Sequence, residues 1–263
     1  MSRDFTLSKY AELLQGLKAG GYRFLTFEEY CSEKDKLGDG CFIILRHDVD
    51  RKPENALATA RIEHSLGIKA SYYFRVVEQN NKSEIIKEIV GRGHELGYHY
   101  EDMTLCGGDA GKAIEHFKQQ LDYFRRFYPV TTICMHGAPR SRYDGRDLWK
   151  QYDYHEFGII GEPYFEVDFS RVFYLTDTGR RWDGFNMSLR DKIPVFQDEW
   201  VQKGRVFHTT DDVLRALESG SLPRQILMTT HPQRWTDHYG EWFKEMLAQS
   251  AKNIVKGVMV KRR

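Results

Sequence analysis

This sequence lacks paired cysteines, membrane-length apolar runs, phosphate-binding glycine loops and a surplus of either charge, and each absence removes a class of protein. Its four cysteines, Cys31, Cys41, Cys106 and Cys134, lie far apart with no CxxC pair. A chain of 263 residues can bury a sizeable core without disulfide staples, so reduced, buried thiols are expected. No apolar run approaches the roughly 18 residues of a membrane span, and the opening MSRDFTLSKYAELL has no signal-peptide core. These absences predict a cytoplasmic protein with no membrane span. Lys and Arg number 39 against 38 Asp and Glu, so no net field selects nucleic acid or an anionic surface. Neither GxGxxG nor a GKT or GKS loop follows any strand-like run, which argues against a nucleotide or dinucleotide site.

What is present is alternation. A helical preamble over residues 1–38 carries apolar residues at helical spacing from Leu7 to Leu17, then a short second helix opened by Thr26. After it come a strand at 41–47, a helix at about 53–66, and the strand KASYYFRV. The helix SEIIKEIVGRG, the strand ELGYHY, the helix GKAIEHFKQQLDYFRRFY and the strand TTICMHG follow. An aromatic-rich segment at 152–200 precedes a helix capped by Thr210, the strand QILMTTH and a last helix from about Asp237. Strands and helices that take turns imply parallel strands with right-handed crossovers. The expected fold is therefore α/β, a seven-stranded distorted (β/α) barrel forming one domain over 1–263.

In such folds chemistry gathers where the carboxyl ends of the strands open into loops. The first long strand ends in Asp48 and Asp50, on one face if the extended geometry persists, with His47 on the other. Another ends in His99 and Glu101, CMHG ends in His136, and MTTHP ends in His231 before Pro232. A single histidine at a strand end is usually structural. Acids and imidazoles at successive strand ends would be costly to bury without a purpose, and they predict a shared polar mouth. His64, His116, His155 and His238 have no such company and are read as structural.

These stretches resemble the polysaccharide deacetylase family, carbohydrate esterase family 4. GHELGYH at 93–99 is similar to the family's second motif, which leads into a metal-binding histidine, and RHDVD stands where it has a two-aspartate motif. HGAPRSRYD at 136–144 occupies the place of its arginine-and-proline groove motif, and ILMTTHP resembles its late strand ending in a catalytic histidine. The order and spacing match over roughly residues 40–235.

The resemblance implies a divalent metal, zinc above all, and hydrolysis of an N-acetyl or O-acetyl group on a small carbohydrate or glycan precursor. It implies His99 as the first metal histidine, His231 as the general acid, Arg140 at the substrate, and Asp48 and Asp50 as base and ligand. The family's aspartates are adjacent, whereas Val49 separates them here; Asp48 is taken as the base and Asp50 as the ligand. A second departure is Met103, which stands where the family has its second metal histidine, and a thioether suits zinc poorly among oxygen and nitrogen donors. His136 is the first choice to fill that place, and Glu101 the second. Loss of the metal would instead leave a sugar-binding barrel or a metal-independent amide hydrolase. Within 152–200, the polar and glycine-turned TDTGRRW nominates Asp177, Arg180 and Trp182 as a substrate wall, since aromatic faces and arginine forks suit sugar rings.

Overall fold

The computed structural model describes residues 3–138, 141–183 and 192–261, with side chains as far as 253. Arg140, expected at the substrate, lies outside the described residues. The strands are β1 (Arg23–Leu25), β2 (Phe42–Val49), β3 (Ser71–Phe74), β4 (Glu95–Tyr100), β5 (Ile133–Met135), β6 (Phe173–Thr176) and β7 (Gln225–Thr230). They form one 7-stranded sheet of order β5-β4-β3-β2-β7-β6, with β1 paired to the start of β2. Every pairing is parallel. The helices are α1 (Leu7–Ala19), α2 (Phe27–Glu33), α3 (Pro53–Ser65), α4 (Ser83–Gly91), α5 (Asp102–Leu105), α6 (Ala110–Arg125), α7 (Pro163–Glu166), α8 (Pro194–Gln202), α9 (Thr210–Glu218) and α10 (Tyr239–Lys261).

The sheet curls into a half-barrel and does not close, because no ladder joins β5 to β6 among the described residues. Residues 160–162 run along the exposed edge of β5 instead. Ile160 donates its N–H to Thr131 at 2.8 Å and Ile133 donates to Gly161 at 3.1 Å, which covers an edge that would otherwise carry unpaired backbone groups. The seven parallel strands are consistent with the distorted barrel expected from alternation, though the barrel is open rather than closed.

Strand β2 is buried along its whole length, as a central parallel strand covered on both faces must be. Its pleat sends His47 outward into the helical layer and Arg46 and Asp48 inward. His47 bonds Glu63 of α3 at 2.6 Å and Thr230 at 2.6 Å, and Tyr10 of α1 donates to the same Glu63 oxygen at 2.5 Å. Burial pushes the Glu63 carboxyl up, but the His47 and His94 imidazoles outweigh it and hold it below its usual value.

The preamble is part of the barrel rather than an appendage. Thr26 and Glu29 form a reciprocal capping box at the start of α2. Beside them, the N–H of Phe27 donates to Ser71 Oγ at 2.7 Å and that of Glu28 to Glu95 Oε2 at 3.0 Å. The N-terminus of α2 therefore meets the first residues of β3 and β4, where the orphan amides of a helix start find a hydroxyl and a carboxylate. Helix α9 is capped by Thr209, one residue before the Thr210 expected from sequence. The last helix starts at Tyr239, two residues after the expected Asp237. No helix among the described residues is long and apolar enough to cross a membrane.

Candidate functional site

At the opposite end, the carboxyl ends of β2, β4, β5 and β7 bring Asp48, Asp50, His99, His136 and His231 together. Strand β2 stops at Val49, and the N–H of Asp50 turns back to the carbonyl of Asp48 at 3.0 Å. The extended geometry assumed from sequence does not persist through Asp50, yet both carboxylates reach the same imidazole. His99 Nε2 lies 3.8 Å from Asp48 Oδ2 and 3.6 Å from Asp50 Oδ1. From the end of β5, His136 Nε2 approaches the same Asp50 oxygen at 3.4 Å.

The opposite nitrogens decide the tautomers. His99 Nδ1 lies 2.9 Å from the carbonyl of Cys134, its register partner on β5. A carbonyl only accepts, so Nδ1 carries a proton and Nε2 is the nitrogen that faces the aspartates. His136 Nδ1 donates to Glu101 Oε2 at 2.9 Å. Arg75 grips Glu101 with two bonds of 2.7 and 2.9 Å. Burial pushes the Glu101 carboxyl up, but His136 and Arg75 more than offset that and keep it below its usual value. Such hydrogen bonds behind an imidazole are what orient it for a cation.

Each aspartate is held by one oxygen and leaves the other unpartnered. Arg46 Nη2 donates to Asp48 Oδ2 at 2.9 Å, and Gln233 Nε2 to Asp50 Oδ2 at 3.3 Å. Asp48 Oδ1 and Asp50 Oδ1 are buried without a hydrogen-bond partner. Burial pushes the Asp50 carboxyl up, and the surrounding imidazoles of His136, His99 and His231 reverse this and hold it well below its usual range. Donors about 2.1 Å from a tetrahedral ion lie about 3.4 Å from one another. The two distances from Asp50 Oδ1, to His99 and to His136, are of that size. Among the described residues, the group of three whose ligand atoms all fall within 4.8 Å of one another lies deeper: Asp48, His99 and Cys134, all buried, which could hold a metal ion.

His231 stands across the mouth, with Nε2 4.0 Å from Asp50 Oδ2. Its Nδ1–H donates to Asp177 Oδ1 at 2.6 Å, and its backbone N–H to Asp177 Oδ2 at 3.0 Å. Arg234 and the Trp235 indole also donate to Asp177, at 2.5 and 2.8 Å. Burial pushes the Asp177 carboxyl up, but the Arg234 guanidinium and then His231 keep it below the usual carboxylate range. Asp177, expected on a substrate wall, is instead fully buried behind His231.

Trp182 likewise departs from the expected wall. It is 4% exposed, its ring 6.0 Å from Trp235 and 6.3 Å from Phe5, with its indole N–H bonded to Thr210. Arg180 packs over Phe5 and Trp242 and donates to the Trp242 carbonyl at 3.2 Å. The backbone of Arg180 is left-handed, φ 57°, at a turn begun by Asp177. Met103 is buried in the apolar core on α5, so the imidazole beside His99 comes from β5 instead.

Sequence reading passed over Arg46, Arg75 and Cys134. Arg46 and Arg75 were legible as single charges inside or at the end of apolar strand runs, and Cys134 as the residue two before His136 on an alternating strand. No protein-family model matches this chain, and neither curated proteins nor solved structures show a significant match to it.

Proposed function

We propose that this chain is a metal-dependent hydrolase that removes an acetyl or related acyl group from a sugar or glycan precursor, as a divergent polysaccharide deacetylase. The observation that carries this reading is that His99 and His136 both present Nε2 to one unpartnered oxygen of Asp50, at 3.6 and 3.4 Å. Asp50, His99 and His136 would hold the ion, and their mixed oxygen and nitrogen donors suit zinc. When bound, such an ion polarises an acyl carbonyl and acidifies an attacking water. The remaining work belongs to side chains. Asp48, pinned by Arg46 through one oxygen, has its other oxygen unpartnered to take the water's proton. His231 gives a proton to the leaving amine or alcohol, and the charged Asp177 behind it stabilises the imidazolium that must form first.

The test combines acetate release from N- and O-acetylated sugars with elemental mass spectrometry of the purified protein. Asp48→Asn is expected to lower turnover about 10²- to 10⁴-fold while keeping metal content, in a folded protein of lower stability because Arg46 loses its buried counter-charge. His99→Ala and His136→Ala should each lose the metal. Unchanged turnover in Asp48→Asn would sink the assignment of the base. Activity indifferent to chelators would favour metal-independent amide hydrolysis, and absence of both metal and turnover a sugar-binding barrel.

A further inference from the structure

His99 Nε2 faces both aspartates, 3.8 Å from Asp48 and 3.6 Å from Asp50. It is the one ring nitrogen of His99 that can ligate a cation, because Nδ1 is committed to the Cys134 carbonyl. A cation bound toward Asp50 and His136 and a cation bound toward Asp48 and Cys134 would therefore compete for one nitrogen. The two positions differ in softness. The outer one offers oxygen and nitrogen only, whereas the inner adds the sulfur of Cys134, the donor that thiophilic ions prefer. Asp48 supplies the second inner ligand, and its Oδ1 is buried with no hydrogen-bond partner.

We propose that Asp48, His99 and Cys134 form a second metal position, exclusive of the outer one, that captures a thiophilic divalent cation such as cadmium and shuts the site. Binding displaces the Cys134 thiol proton to solvent and leaves a thiolate–metal bond; no electron transfer is involved. Closure follows because His99 is withdrawn from the outer position and Asp48 is no longer available as base. That inhibitory half rests on the function proposed above, whereas the binding half does not.

The experiment is a cadmium titration of the full chain after chelator treatment, read by the ultraviolet thiolate-to-metal absorption. In the wild type the band should saturate near one equivalent per chain. Cys134→Ser and Cys134→Ala should both lose it while keeping the native circular dichroism, and Cys31, Cys41 and Cys106 serve as the internal control because they remain. His136→Ala should keep the band, and His99→Ala should weaken cadmium binding about ten-fold or more. No band in the wild type, or a band undiminished in the folded Cys134 variants, overturns the proposal. Where acetate release is measurable, the cadmium concentration for half-inhibition should rise about ten-fold or more in Cys134→Ser. A correct band in a chain that deacetylates no sugar upholds the metal position and overturns the proposed function instead.

Discussion

Asp177 shows how one side chain organises several others. It accepts from the His231 ring and backbone, from Arg234 and from Trp235, so every oxygen lone pair it can direct is in use. Replacing it with Asn substitutes an N–H₂ for one of those acceptors and leaves Arg234, buried with it, without its counter-charge. Breaking a buried pair in this way costs about 3–5 kcal/mol. Asp177→Asn should therefore lower the urea midpoint markedly. It should also reduce kcat at pH 7 by about 10²-fold or more with a smaller change in KM, since the imidazolium of His231 loses its support. Equal kcat in a folded Asp177→Asn protein would show that His231 does not act as an acid.

Within β4, the glycine of GHELGYH has a packing reason. A Cβ at Gly97 would lie 2.2 Å from Cε1 of Tyr73 on the neighbouring strand, its register partner. The tyrosine ring crosses the glycine and cannot readily withdraw, because its hydroxyl bonds Thr132 Oγ1, just before β5 on the far side of β4, at 2.8 Å. Gly97→Ala is expected to cost about 1–3 kcal/mol by overpacking, measured by urea denaturation, and to displace His99 two residues on. At the other end of the barrel, Thr26→Ala removes the side chain that caps α2. A loss of about 1 kcal/mol is expected there, with little effect on turnover because α2 sits at the amino-terminal end of the strands.

For the whole molecule, the balance of buried carboxyls sets a pH window. Burial raises Glu162, beside the open edge of the barrel, to about 7 from an ordinary value of 4.5, despite bonds from the backbone N–H groups of Met135 and Tyr164. The folded state thus holds a proton that the unfolded chain releases between those values. The stability this proton contributes is complete below about 4.5 and is lost as pH rises through about 7. The full loss is on the order of 3 kcal/mol. Glu63, Glu101 and Asp177 are lowered, and their contribution has the opposite sign: present above the ordinary carboxylate range and lost as pH falls through their depressed values. Stability measured by denaturant should accordingly pass through a maximum in mildly acidic solution, and Glu162→Gln should flatten the decline between about pH 5 and 8. An unchanged decline in Glu162→Gln would place the titrating group elsewhere.

The alternation of strand and helix was legible in the sequence because buried parallel strands read as continuous apolar runs, and the mouth was legible because those runs end in acids and imidazoles. Asp48, Asp50, His99, His136 and His231 could be named from that pattern alone, along with the outward turn of His47. What local pattern cannot carry is which loop fills a gap and which partner stands behind a side chain. Residues 160–162 take the edge of β5 through a few backbone bonds that leave no apolar signature. Asp177 meets His231 across 54 residues, by virtue of the pairing of β6 with β7. Trp182 looked polar in its neighbourhood yet is buried against Phe5 and Trp235, residues remote in the chain. Composition and periodicity act over a few residues, so they determined the elements and the groups at their ends; strand register and sheet curvature act across the molecule, so only the tertiary structure decided which of those groups face one another.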